Sequence, residues 1–167
     1  MKYFRSGFTL LELMVAVSLC MIVACVSMMS FRSLEKSTVQ TELNLLCAAC
    51  NYLQQHAIAT NTIQELSIDA AHNSYAFNGH EHTLAKGVCF DVALSAFGPP
   101  SAPYKLLEKP ITFKENKILF YPEGMMSAGM ICFTNSNHSI LYALSNSVAH
   151  VSFLRRYRYD REWQALS

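Results

Sequence analysis

The sequence predicts an α+β protein: one long N-terminal helix, transmembrane in its first half, packed on a C-terminal antiparallel β-sheet head. Three observations predict it. From Leu13 to Phe31 no residue is charged. Beyond that run Leu43, Leu46, Cys50, Leu53 and Ala57 recur at alternating spacings of three and four, which places them on one helical face. After Gln64 the pattern changes to short alternating runs separated by Asn, Gly, Pro and Ser, the punctuation of strands and turns.

The helix comes first. Neither Pro nor Gly interrupts the chain between Phe8 and Asn78, so a single helix is expected from Thr9 to Thr60, with Asn61 and Thr62 as its stop signals. The nineteen residues Leu13–Phe31 would rise roughly 28 Å, close to the thickness of a bilayer core. Lys2 and Arg5 precede them in a short leader and are expected on the cytoplasmic side, with the head beyond the membrane. The second half of the helix is expected to be amphipathic, with Glu42, Asn44, Asn51 and Gln54 away from the apolar face.

The strands follow. Leu66–Asp69 and Ser74–Phe77 alternate, and the second meets a turn at Asn78-Gly79. Val88–Val92, Ile111–Phe113, Ile118–Tyr121, Met130–Thr134, Ser139–Leu144 and Val148–Phe153 read as further strands. Gly98–Pro103 is a loop, Pro122-Glu123-Gly124 a turn, and Asn135–Asn137 and Ser145–Ser147 are the turns of a closing meander. There is no internal repeat.

Composition narrows the class. The formal net charge is +1 over 167 residues, so no global field draws the chain to nucleic acid. Charged residues make up 15%, against about 25% for soluble domains, and the apolar excess sits in the first thirty residues. A secretory signal would put a small-residue cleavage site after the apolar run, where Phe31–Lys36 offers none. A plain anchor leaves Glu12 unexplained, because a carboxylate at the start of a membrane helix is costly and marks function.

The hexapeptide Gly7-Phe8-Thr9-Leu10-Leu11-Glu12 resembles the class III signal of type IV prepilins and type II secretion pseudopilins. The resemblance implies that a prepilin peptidase cuts after Gly7 and methylates the new amine on Phe8. Glu12 would then meet the N-terminal amine of a neighbouring subunit, a pairing that neutralises a buried charge and sets register. It implies four regions: a leader at 1–7, a transmembrane assembly helix at 8–31, its amphipathic continuation at 32–62 and a β-rich head at 63–167. It places the chain in the bacterial inner membrane as a single-pass protein, N-terminus cytoplasmic and head periplasmic, assembling with other pilins or pseudopilins into a pseudopilus.

Ile111–Phe113, Phe120–Gly124 and Gly129–Phe133 are similar to the C-terminal domain of H-type minor pseudopilins and of FimT-like minor pilins, which ends in a hairpin. Where those families often carry Gly-Arg, this chain has Ala149-His150. The resemblance implies a structural minor pseudopilin of type II secretion, without catalytic activity or cofactor. The alternative it leaves open is a FimT-like minor pilin that binds DNA during uptake. For that reading the candidate residues are Arg155, Arg156, Arg158 and Arg161, interleaved with Tyr157, Tyr159 and Trp163. Cations beside aromatics suit phosphate contact and base stacking; against this, alternation along a strand splits the arginines over two faces, and a solvated final strand explains them as well.

Other constellations point to little chemistry. No G-x-S-x-G, H-E-x-x-H or phosphate-binding glycine loop occurs. Cys47 and Cys50 form a C-x-x-C inside the helix rather than at its start, which favours packing over redox work. Cys89 and Cys132 lie in separate strands and could pair in an oxidising compartment. His80-Glu81-His82 could hold a transition metal, but a solvated loop accounts for it and no metal site is assigned. Asp160 and Glu162 sit among arginines, so no calcium site is expected either.

Overall fold

The computed structural model describes residues 9–92, 98, 106–146, 154–160 and 162–166, with side chains throughout except at 27–34 and 160. The chain divides into two compact units, Met1–Glu35 and Lys36–Ser167. Helix α1, Leu10–Thr60, contributes to both and matches the helix expected from the sequence. It stops where the sequence predicts. Asn61 takes a left-handed φ of 51°, which Asn tolerates better than most residues, and Thr62 N–H donates back to the Ala57 carbonyl.

In the second unit all five predicted core-facing helix residues, Leu43, Leu46, Cys50, Leu53 and Ala57, are fully buried. They pack with Leu66, Ile118, Phe120, Ile131, Phe133, Tyr142 and Leu144. Glu42 departs from expectation. Its position between Val39 and Leu46 on the inner side of α1 buries it, and its carboxylate accepts from Ala85 N–H and pairs with His82. Polarity alone had placed it outside.

The head holds two antiparallel sheets rather than one. The first is built from β1 (Gln64–Asp69), β2 (Ser74–Phe77), β3 (His80–Thr83) and β5 (Lys117–Phe120), in the order β3-β2-β1-β5. The second has β4 (Val88–Cys89), β6 (Gly129–Asn135), β7 (Leu141–Asn146), β8 (Arg155–Asp160) and β9 (Glu162–Leu166), in the order β4-β6-β7-β8-β9. The β2–β3 hairpin turns at Asn78 and Gly79, both with positive φ, as a two-residue Asn-Gly turn requires. His80–Thr83 is thus a strand, not the solvated loop expected from its polarity.

Three sequence-predicted strands end differently. Ile111–Phe113 makes only a single bridge, Ile111 to Ile131. Pro110 has no N–H to extend the pairing, and Glu115 and Asn116, with φ of 55° and 54°, turn the chain away in a 3-10 turn. Val88–Val92 shrinks to two residues because side chains capture the next amides: Asn73 Oδ1 accepts from Phe90 N–H and Asp91 Oδ1 from Val92 N–H. Ser145 and Asn146 extend β7 instead of turning. Asn146 is buried there because its amide donates to the Met126 and Ser127 carbonyls. Val148–Phe153, Ala149-His150 and, apart from Gly98, the Gly98–Pro103 loop lie outside the described residues.

The second sheet is covered on both faces. Opposite residues of antiparallel strands share a face. Ile131, Phe133, Tyr142 and Leu144 therefore look toward α1, and Met130, Cys132, Leu141, Ala143 and Tyr157 look the other way. That outer cluster is closed by Val92, Leu107, Tyr159 and Trp163. Burial on both faces is why β6 and β7 read as continuous apolar runs.

Candidate functional site: the N-terminal helix and the basic hairpin

Helix α1 opens with reciprocal side-chain caps. Glu12 Oε2 accepts from the Thr9 backbone N–H at 2.9 Å and from the Thr9 hydroxyl at 3.0 Å. Thr9 Oγ1 in turn accepts from the Glu12 N–H at 3.3 Å. This is a capping box: two of the first-turn amides that a helix leaves unbonded are satisfied. The pattern Thr-x-x-Glu was spelled out in the sequence, and reading Glu12 only as an intersubunit charge missed it. Gly7 and Phe8, the expected cleavage and methylation residues, lie outside the described residues.

Beyond the cap, the apolar side chains from Leu10 to Val26 are exposed on every side of the helix. The one hydroxyl between Leu13 and Val26, that of Ser18, donates to the Met14 carbonyl, so it carries no unsatisfied donor into an apolar surrounding. Among the described residues no helix is long and apolar enough to cross a membrane.

Residues 4–24 carry the prokaryotic N-terminal methylation motif. The methylation motif spans the hexapeptide Gly7–Glu12 on which the resemblance to prepilins rests. It is the part of the chain that a peptidase and methylase would read, and it implies processing by a prepilin peptidase and assembly with other pilins. The minor pseudopilin EpsH from the type 2 secretion system of Vibrio cholerae is a similar solved structure, with a TM-score of 0.49, 12% identity, and coverage of 70% of this chain and 94% of that one. At that score the likeness bears on neither partners nor secretion system. No curated protein matches the sequence.

The methylation motif lies in the first unit; the basic cluster lies in the second. Arg155 is exposed and, opposite Ser145, sits on the face away from α1. Arg156 and Arg158, opposite Leu144 and Tyr142, sit on the face toward it, and Arg156 Nη1 donates to Asn44 Oδ1 on α1 at 3.0 Å. Arg161 lies outside the described residues. The aromatics are engaged elsewhere. Tyr157 is buried in the outer cluster, Trp163 meets both Tyr157 and Tyr159 edge-on, and its indole N–H donates to the Gly98 carbonyl at 2.6 Å. The cluster is thus divided across the sheet, as alternation required, and its rings serve as packing.

All six cysteines carry free thiols. Burial pushes the Cys132 thiol up to about 12 and raises Cys50 further, with Cys47 adding to the effect on Cys50. Burial also raises Cys47 and Cys89. Thiols held protonated are poor nucleophiles, which suits the packing role of the C-x-x-C. In the His-Glu-His segment, His82 pairs with Glu42 at 3.1 Å, while strand alternation puts Glu81 on the opposite face.

Proposed function

We propose that this chain is a structural minor pseudopilin: a prepilin peptidase cuts it after Gly7 and methylates Phe8, the apolar helix holds it in the inner membrane with the head periplasmic, and it assembles with like subunits into a pseudopilus for type II secretion. The observation that carries the reading is the methylation motif at residues 4–24, which spans a helix start capped by Glu12 and followed by an uncharged run from Leu13. The nineteen-residue run Leu13–Phe31 is long enough, at roughly 28 Å, for a bilayer core. Removing the leader leaves that run intact, so the cleavage serves assembly rather than release. Glu12 would exchange solvent for the amine of an adjacent subunit, since a carboxylate in a bilayer needs a partner.

The test is co-expression of the full chain with and without a prepilin peptidase, followed by mass spectrometry of the N-terminus. The reading expects a mature chain that begins with methylated Phe8 only when the peptidase is present. A chain that still begins at Met1 beside an active peptidase overturns it. DNA uptake as the purpose of the assembly has weaker support, because the arginines are split and, of the aromatics that would stack on bases, Tyr157 is buried and Tyr159 and Trp163 are half-buried and packed against each other.

A further inference from the structure

The head carries an aromatic groove between α1 and the first sheet. Leu45, Ala48 and Tyr52 form its helical wall, and Tyr75, Phe77 and His82 form the wall from β2 and β3. The rings stand in a row: Tyr52 to Phe77 at 6.4 Å, Phe77 to Tyr75 at 6.4 Å and Tyr75 to His82 at 5.0 Å. None of these side chains is a carboxylate, lysine or arginine. The His82 ring is held by the buried Glu42 carboxylate at 3.1 Å, so that wall is set before anything docks. Tyr52 is 54% exposed, and its hydroxyl can donate to a backbone carbonyl. A row of rings with such a donor suits extended proline-rich chain, whose fixed φ lowers the ordering cost and whose carbonyls need donors.

We propose that this groove receives the segment Pro99-Pro100-Ser101-Ala102-Pro103 of a second copy. The inference rests on the assembly reading above and names a contact between heads for it. The sequence holds a P-x-x-P at Pro100 and Pro103, and no residue between Asp91 and Lys105 is charged. An uncharged segment suits an uncharged groove, where a charge would lose hydration and meet no counter-charge. The roots of the segment decide whose groove it reaches. Gly98 is tied by its carbonyl to the Trp163 indole N–H at 2.6 Å. Trp163 and Leu107 close the outer cluster, on the face of the second sheet away from α1. Fully extended, Pro100 reaches roughly 7 Å from Gly98 and Pro103 roughly 14 Å from Leu107. The groove of the same copy lies behind the second sheet and α1, and a single packed layer is already about 10 Å deep. A neighbour's groove has no such obstacle. An outer-face segment seated in an α1-side groove is a head-to-tail contact, which repeats along an open assembly instead of closing on a pair.

The experiment uses full-length chain in membranes, co-expressed with a prepilin peptidase, in two differently tagged copies. The photoreactive residue benzoylphenylalanine replaces Tyr52 in one copy, which keeps a ring in the row. Multimer is scored first with the unsubstituted chain and an amine cross-linker. The expected result is light-dependent coupling between the two tags, mapped by mass spectrometry to residues 99–103 of the copy without the probe. Pro100→Asp with Pro103→Asp in that copy should cut the coupled yield about tenfold or more, as loss of an interface anchor does. Ile63→Asp, at an exposed apolar residue outside the groove, should leave the yield unchanged. Far-ultraviolet circular dichroism checks that the variants fold, and the mapped coupling to the unsubstituted copy decides the matter where they do not. If multimers form but the probe couples elsewhere, only within its own copy, to a different protein or not at all, the groove assignment is overturned and the assembly reading stands. If the processed unsubstituted chain forms no multimer, the assembly reading falls and the groove assignment with it.

Discussion

Thr9 and Glu12 bond each other reciprocally, the carboxylate taking both the amide and the hydroxyl of Thr9 on a single oxygen, Oε2. Glu12 therefore has an internal task, capping the helix, besides the proposed one of meeting a neighbour's amine. The two tasks separate by mutation. Glu12→Ala should insert in the membrane normally and fail to assemble. Thr9→Val keeps the charge and loses only the hydroxyl, so its helix start should exchange amide hydrogens faster while assembly persists. If Thr9→Val proves as defective in assembly as Glu12→Ala, the carboxylate matters for the cap and not for the charge.

The ring of Phe113 covers Gly129 so closely that a Cβ there would sit 2.5 Å from ring carbons. Backbone bonds on either side, Thr112 N–H to the Met130 carbonyl and Cys132 N–H to the Pro110 carbonyl, fix the approach. Gly129→Ala should cost about 1–3 kcal/mol by overpacking. The loss should shrink in the double variant with Phe113→Leu, measured by denaturant unfolding of residues 36–167. Equal losses in both backgrounds would show that the ring is not what excludes the methyl.

His72 and Asp69 pair at 2.7 Å on the exposed β1–β2 turn. The bond to Asp69 raises the His72 pKa above 6.5, and the bonds from His72, side chain before backbone, hold Asp69 below 3.8. The histidine's contribution is full below 6.5 and fades as pH rises through its raised folded value. The aspartate's is full above 3.8 and fades as pH falls through its lowered one. The pair therefore stabilises most between about pH 4 and 6.5. The melting-temperature difference between wild type and His72→Ala should be larger at pH 5 than at pH 8.5, and small at both because the pair is solvated. A difference that grows toward alkaline pH would contradict the assignment.

Cys50 and Cys132 are buried among apolar side chains with raised pKa values. Neither should react with a maleimide at pH 7 in the folded head, and both should react once urea unfolds it. Mass spectrometry of the labelled chain before and after unfolding reads this directly. Labelling of Cys50 at native speed would show that α1 lifts from the sheets.

Much of this fold was legible because burial on one face leaves a period. Leu43 through Ala57 announced the inner stripe of α1; the unbroken apolar letters of β6 and β7 announced strands, and only the structure shows that their sheet is covered on both faces. What escaped was set by partners distant in sequence. Glu42 reads as a surface residue until His82 and the Ala85 amide, some forty residues on, take its carboxylate. Ile111–Phe113 has strand letters, but Pro110 and the left-handed pair Glu115-Asn116 stop the ladder. Of the β8–β9 hairpin, β8 was legible as a final strand from its alternating Arg and Tyr, while β9, Glu162–Leu166, was not. The N-terminal site was the reverse case: a short linear pattern that needs no distant partner, down to a capping box visible in four letters.

Trp163 is the chain's single tryptophan, wedged against two tyrosines and tied to Gly98. Nature has thus placed one optical probe in the protein, on the far side of the second sheet from α1. Its emission colour reports whether that outer layer is shut, and is blind to the helix side. Fluorescence and helical dichroism, followed together on heating, give two independent clocks for the two layers. Any lag between them would measure how far the head loosens one layer before it loses the other.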